Sequence, residues 1–115
     1  MINAKIYKDQ RKNIIKFFIT GHAGFENEGL DIVCAAVSVL VHTALVSLNK
    51  VCKIDEKDID YFIDDDNGVM KVSLPGNLGK EKREKANIVL RSMELGLISI
   101  VEVYPENVAL EYREV

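Results

Sequence analysis

The sequence predicts a single α+β domain over residues 1–115, of order ββαββαβ, with two helices on one face of a largely antiparallel, mixed five-stranded sheet. Two observations carry this reading. Two long stretches space their apolar residues at helical intervals, and five short ones are rich in β-branched and aromatic residues or alternate in polarity. A third, the repeat of a hairpin-then-helix unit, sets their order.

Residues 2–8 alternate loosely, Ile2, Ala4 and Ile6 against Asn3, Lys5 and Tyr7, and predict a first strand. The polar stretch 9–13 is a turn, and 14–20 predicts a strand pairing back as a hairpin. Gly21, Gly24 and Gly29 then fall within ten residues, which suits neither helix nor strand. A long loop over 21–30 is expected, and long loops in compact domains are often functional. Asp31 precedes an apolar run and is expected to cap a helix over about 31–51. Its inner face is drawn from Val33, Ala36, Val37, Leu40, Val41, Ala44, Leu45 and Leu48. A third strand is predicted at 59–63, and Asn67-Gly68 marks a hairpin turn before a fourth at 69–74. A second helix is predicted over about 81–104, stopped by Pro105, with a last strand at 108–112.

Composition narrows the function classes. A charged fraction of 29% with a net charge of −3 suits a folded domain and opposes a nucleic-acid surface, which needs locally dominant Lys and Arg. Lys80, Lys82, Arg83 and Lys85 cluster, but Glu81 and Glu84 interrupt them, as expected of a solvated helix start. No basic segment followed by an apolar run opens the chain, and the uncharged run 32–49 carries Ser38, His42, Thr43, Ser47 and Asn49. A buried core helix therefore fits better than a membrane span, and a cytoplasmic protein is expected. Cys34 and Cys52 are expected as free thiols: on one helix they would lie about 27 Å apart, and a disulfide needs Cα atoms within about 7 Å.

Cys34 is the residue to which chemistry points. With Asp31 as cap it would be the third residue of its helix, where unpaired N–H groups and the macrodipole favour a thiolate. The same N–H groups could act as oxyanion donors. Against this stands the plain alternative of a small buried core residue. His22 shifts the balance, because it lies in the loop leading into the same helix, and a Cys–His pair is the minimal apparatus for acyl transfer. Asp31 could orient the imidazole or only cap the helix. Ser38, one turn beyond Cys34, could reach the same side, although a helical serine is more often inert. His42 would lie about 12 Å along the helix, too far to assist the thiol. His22, Cys34, Asp31 and Glu26 or Glu28 lack the close ligand pairs of a structural zinc site, so no metal is expected, and no cofactor. The three glycines match neither nucleotide-binding fingerprint.

The block Gly21-His22-Ala23, Gly29 and 31–38 (DIVCAAVS) resembles the ribosomal-processing cysteine proteases, small bacterial peptidases. Chain length, element order and the spacing from histidine to cysteine also fit that family. The block covers about a sixth of the chain, and Leu30 stands where a polar residue would be expected. The resemblance implies an endopeptidase that removes the N-terminal extension of a large-subunit ribosomal protein. It implies His22 and Cys34 as the catalytic pair, Asp31 and Ser38 in support, and a substrate-closing loop given freedom by Gly21, Gly24 and Gly29. It further implies a preference for bulky apolar residues before the cut and a small one after it, and a homodimer. The competing reading is a non-catalytic, ribosome-associated peptide-binding module in which Cys34 is merely buried.

Overall fold

The computed structural model describes residues 1–21 and 28–115, with side chains described from Asp31 onward in the first helix. The elements run β1 (Ile2–Lys8), β2 (Ile14–Thr20), α1 (Glu28–Lys50), β3 (Asp60–Asp64), β4 (Val69–Ser73), α2 (Lys80–Val103) and β5 (Val108–Glu114), with a short 3-10 turn at Glu56–Asp58 before β3. The sheet order is β3-β4-β2-β1-β5; β1 and β5 pair in parallel and every other pair is antiparallel. The expected α+β architecture and the ββαββαβ order are therefore what the chain adopts.

Strand register explains the layering. Ile63, Met70, Ile19, Ala4 and Leu110 stand side by side across all five strands, and Val72, Phe17 and Ile6 form the next row. Side chains alternate faces along a strand, so these rows share the face on which both helices pack. The opposite face carries Lys5, Tyr7, Lys16, Lys71, Glu111 and Arg113 and is left to solvent. From α1 the core receives Val33, Val37, Val41, Ala44 and Leu48, and from α2 Ala86, Leu90, Met93 and Leu97. Ala36, expected inward, faces solvent. By length and composition alone α1 could cross a membrane, yet this inner stripe is buried in the core.

The helices meet where Gly96 lies against Leu40: a Cβ built at Gly96 would stand 2.7 Å from a Leu40 methyl. The charged start of α2 is a solvated helix end, with Lys85 paired to Glu81 at 3.0 Å and Arg83 donating to the Pro75 carbonyl at 2.9 Å. Further along α2, Glu94 is 1% exposed. Its carboxylate accepts from Arg91 at 2.7 Å, from Lys8 at 3.2 Å and from the Tyr112 hydroxyl. These contacts pin α2 to the ends of β1 and β5.

The first helix begins three residues earlier than expected, and this is the main correction to the sequence reading. Asp31 is not an N-cap but the fourth residue of α1, while Gly29 and Leu30, expected in the loop, lie within the helix. One glycine in a first turn costs only about 1 kcal/mol, and Asp31 near the N-terminal end suits the macrodipole. At its far end, the Cys52 N–H reaches back to the Ser47 carbonyl (3.0 Å), and Lys53 adopts a left-handed conformation that turns the chain away.

Candidate functional site

The longer helix relocates Cys34. It is the seventh residue of α1, about 9 Å along the axis from the first, and its N–H lies beyond the four that a helix start leaves unpaired. The expected thiolate stabilisation by a first-turn position is thereby overturned, and so is the expectation that free amides beside Cys34 serve as oxyanion donors. Burial pushes the Cys34 thiol up, and the nearby Asp31 carboxylate pushes it further. Both influences favour the protonated thiol over the thiolate.

Cys34 is half-buried at a cavity of about 220 Å³. One wall is α1, presenting Cys34, Ser38 and His42 at successive turns of one edge, with Val37 and Val41 behind them. The facing wall is the β3–β4 hairpin, with Ile63, Asp64, Asp65, Gly68, Val69 and Met70. Ile2, Ile19 and Gly21 complete it from the ends of β1 and β2. The lining is mostly apolar, with polar groups confined to the α1 edge and the hairpin turn. Such a cavity can hold side chains of a peptide, but lies below the roughly 300–1,000 Å³ usual for small-molecule sites.

Two backbone features fix these walls. The Asp64 carboxylate accepts from the Asn67 backbone and side-chain amides at 3.2 and 2.7 Å, and these bonds depress its pKa. The carboxylate is thereby committed to shaping the turn. Gly21, at φ +123°, donates its N–H to the Gly68 carbonyl at 3.1 Å, tying the exit of β2 to that turn. A Cβ at Gly21 would stand 2.3 Å from the Met1 carbonyl oxygen. Glycine here answers a close backbone approach, a different demand from the loop freedom first assigned to it.

Of the site residues expected from sequence, the fold brings Cys34, Ser38 and Gly21 to one cavity. Asp31 is exposed one turn before Cys34. His22 and Gly24 lie outside the described residues. Sequence reasoning missed His42 as a lining residue and missed the β3–β4 turn altogether. The spacing of 34, 38 and 42 at intervals of four could have signalled the first. Nothing local signals that the Asn67-Gly68 hairpin faces a helix thirty residues upstream.

Both cysteines are free, and Cys52 is fully buried. A family profile described as "Cysteine protease Prp" matches residues 1–109. A Bacillus subtilis protein named "Ribosomal processing cysteine protease Prp" is 34% identical over 107 residues, 93% of each chain. A Staphylococcus aureus protein of the same name is 28% identical over 114 residues, covering 98% of this chain and all of the relative. Among solved structures, a Streptococcus mutans protein is similar at TM-score 0.85 and 28% identity, over 100% of this chain and 96% of the other. The S. aureus protease with a covalently linked product peptide is similar at TM-score 0.78 and 25% identity, over 98% and 100%. The profile and the relatives match this chain along almost its whole length, and the chain belongs to the family of the cysteine protease Prp.

Proposed function

We propose that this cysteine peptidase removes the N-terminal extension of a large-subunit ribosomal protein, with Cys34 as nucleophile and His22 as general base and acid. The observation that carries the proposal is Cys34 at the mouth of the apolar cavity. Support for the substrate comes from the relatives, which are named for ribosomal processing; the solved S. aureus structure that holds a covalently linked product peptide agrees with attack by a cysteine. Support for His22 is its place immediately after Gly21, which lines the cavity.

The raised thiol pKa shapes the mechanism. As the Cys34 sulfur bonds to the scissile carbonyl carbon, its proton passes to the His22 imidazole. The imidazolium gives that proton to the leaving amine as the C–N bond breaks, leaving a thioester. Water, losing a proton to His22, attacks the thioester, and the acid product leaves as the thiol is reprotonated. Asp31 and Ser38 are supporting residues here: Asp31 through its charge near Cys34, Ser38 through its hydroxyl at the same cavity.

We further propose a cytoplasmic homodimer. Large apolar side chains stand on the outward faces of both helices, Ile32, Val39 and Val46 on α1 and Ile88 and Leu95 on α2, each about half exposed or more. Val39 and Leu95 directly precede the Leu40–Gly96 contact, so the faces flank one crossing, and exposed apolar patches of this kind mark association surfaces. A sedimentation profile showing only monomer would remove the dimer from this reading.

The test of the activity is cleavage of a peptide spanning the extension, followed by mass spectrometry, with the native chain, Cys34→Ala and His22→Ala. A single cut by the native chain, lost in the first variant and reduced at least 100-fold in the second, is expected. Clean binding without a cut under reducing conditions would favour the non-catalytic peptide-binding module instead.

A further inference from the structure

His42 has no part in the bond-breaking steps, yet it is half-buried and lines the same cavity as Cys34. It stands two turns further along α1, about 12 Å from Cys34 along the axis. The cavity it lines is mostly apolar, with Val37, Val41, Ile63 and Met70 in its walls and Ser38, Asp64 and Asp65 as its other polar side chains. An imidazole there offers at least one N–H donor to a mostly apolar space. An extended peptide rises about 3.3 Å per residue, so 12 Å corresponds to three or four residues from the scissile bond.

We propose that His42 is a specificity-determining residue: it meets the substrate side chain three or four residues from the cut and selects one with an apolar body and a hydrogen-bonding tip, such as tyrosine, over its all-apolar analogue. The physical basis is the asymmetry of polar recognition. A pocket that is merely hydrophobic separates phenylalanine from tyrosine poorly, whereas one that places a donor at the hydroxyl leaves that donor unpaired when the hydroxyl is missing. Apolar walls supply affinity for the ring, and His42 supplies the choice. The inference rests on the peptidase reading above, because it takes the cavity to be the substrate groove.

The test uses the extension peptide with a Tyr or Phe pair placed in turn at each of the four positions on either side of the cut. Affinities are measured with Cys34→Ala and cleavage with the native chain. At a position three or four residues from the cut, and at no nearer one, tyrosine is expected to be favoured about five- to tenfold, the worth of one partly exposed hydrogen bond. His42→Leu, added to either background, should abolish that preference; His42→Gln, which keeps a donor, should retain part of it. Thermal unfolding of both variants establishes that they are folded. Cleavage with no Tyr preference at any position, or a preference that survives His42→Leu, overturns this inference alone. Peptides neither bound nor cut overturn the substrate reading and this inference with it.

Discussion

Replacing Gly21 with alanine separates two explanations of the same residue. The family resemblance treats Gly21 as a source of freedom for a substrate-closing loop. The structure places it at φ +123°, with a would-be Cβ 2.3 Å from the Met1 carbonyl oxygen and 2.7 Å from the Ile2 Cα. Both obstacles are backbone, so no side chain can swing away. Relief requires a shift of about 1 Å in a strand whose Ile2 is 2% exposed, pairs with Val108 and donates its N–H to the Asn107 carbonyl at 2.9 Å. The left-handed conformation costs about 1–3 kcal/mol for an L residue and the overlap about 1–3 kcal/mol more. The variant should thus lose about 2–6 kcal/mol, a large part of the roughly 5–15 kcal/mol that a domain has. Urea unfolding at unchanged m measures this directly, and a fall in Tm of about 8–24 °C should accompany it. Gly96→Ala is the control: its Cβ meets only the flexible end of Leu40, and alanine gains helix propensity, so its loss should stay under about 2 kcal/mol. If Gly21→Ala unfolds within about 0.5 kcal/mol of the native chain but no longer cleaves, the close-approach argument is refuted and loop freedom is the reason for glycine.

Two further outcomes follow from the charged groups. Asp31 holds the Cys34 thiol up, so Asp31→Asn should lower the thiol pKa and speed iodoacetamide alkylation of Cys34 at pH 7, with the pH–rate curve moving to lower pH; an unmoved curve would mean the carboxylate does not act on the sulfur. In either protein the fully buried Cys52 should react only on unfolding. Burial alone would raise Glu94, but the bonds from Tyr112, Arg91 and Lys8 outweigh it, so its folded pKa lies below the ordinary 4.5. A depressed carboxylate stabilises above its unfolded pKa, and that contribution is lost as pH falls through the folded one. Glu94→Gln should therefore cost about 1–3 kcal/mol at pH 7 and flatten the stability curve below pH 4.5, read by urea unfolding across pH; equal slopes for both proteins below that pH would contradict this.

The readable parts of this fold are those where local chemistry and the final structure make the same demand. β1 and β2 fall where alternation and the polar turn 9–13 put them, and Asp64 with Asn67-Gly68 makes the hairpin that its turn residues specify. The start of α1 was not readable, because Gly29 and Asp31 are signals of about 1 kcal/mol each and the extra turn outweighs them. Nor was the buried face of α1 fully legible: the helix is apolar on nearly every side, so Ala36 was expected in the core and is exposed. The sheet order depends on β5 crossing to pair with β1, a contact more than a hundred residues apart in sequence. The cavity inherits that difficulty, since each wall comes from a separate part of the chain. The motif located Cys34 by resemblance; only the packed structure shows that His42 and the hairpin share its cavity.

The position of Cys34 within α1 also decides between two ways of making a sulfur nucleophile. In one, a helix N-terminus holds a standing thiolate, which is reactive toward any electrophile that reaches it. In the other, the sulfur stays protonated until a base takes its proton. Burial and the Asp31 carboxylate both favour a protonated sulfur, which suits the second. Nucleophilicity falls as a thiol's pKa falls, so a thiol kept basic and deprotonated only as attack occurs loses none of its intrinsic strength. It is also protected from alkylation and oxidation between turnovers, since those reactions need the thiolate. Under the proposed mechanism, a sulfur activated only as attack occurs adds to selectivity, because a passing electrophile meets a thiol.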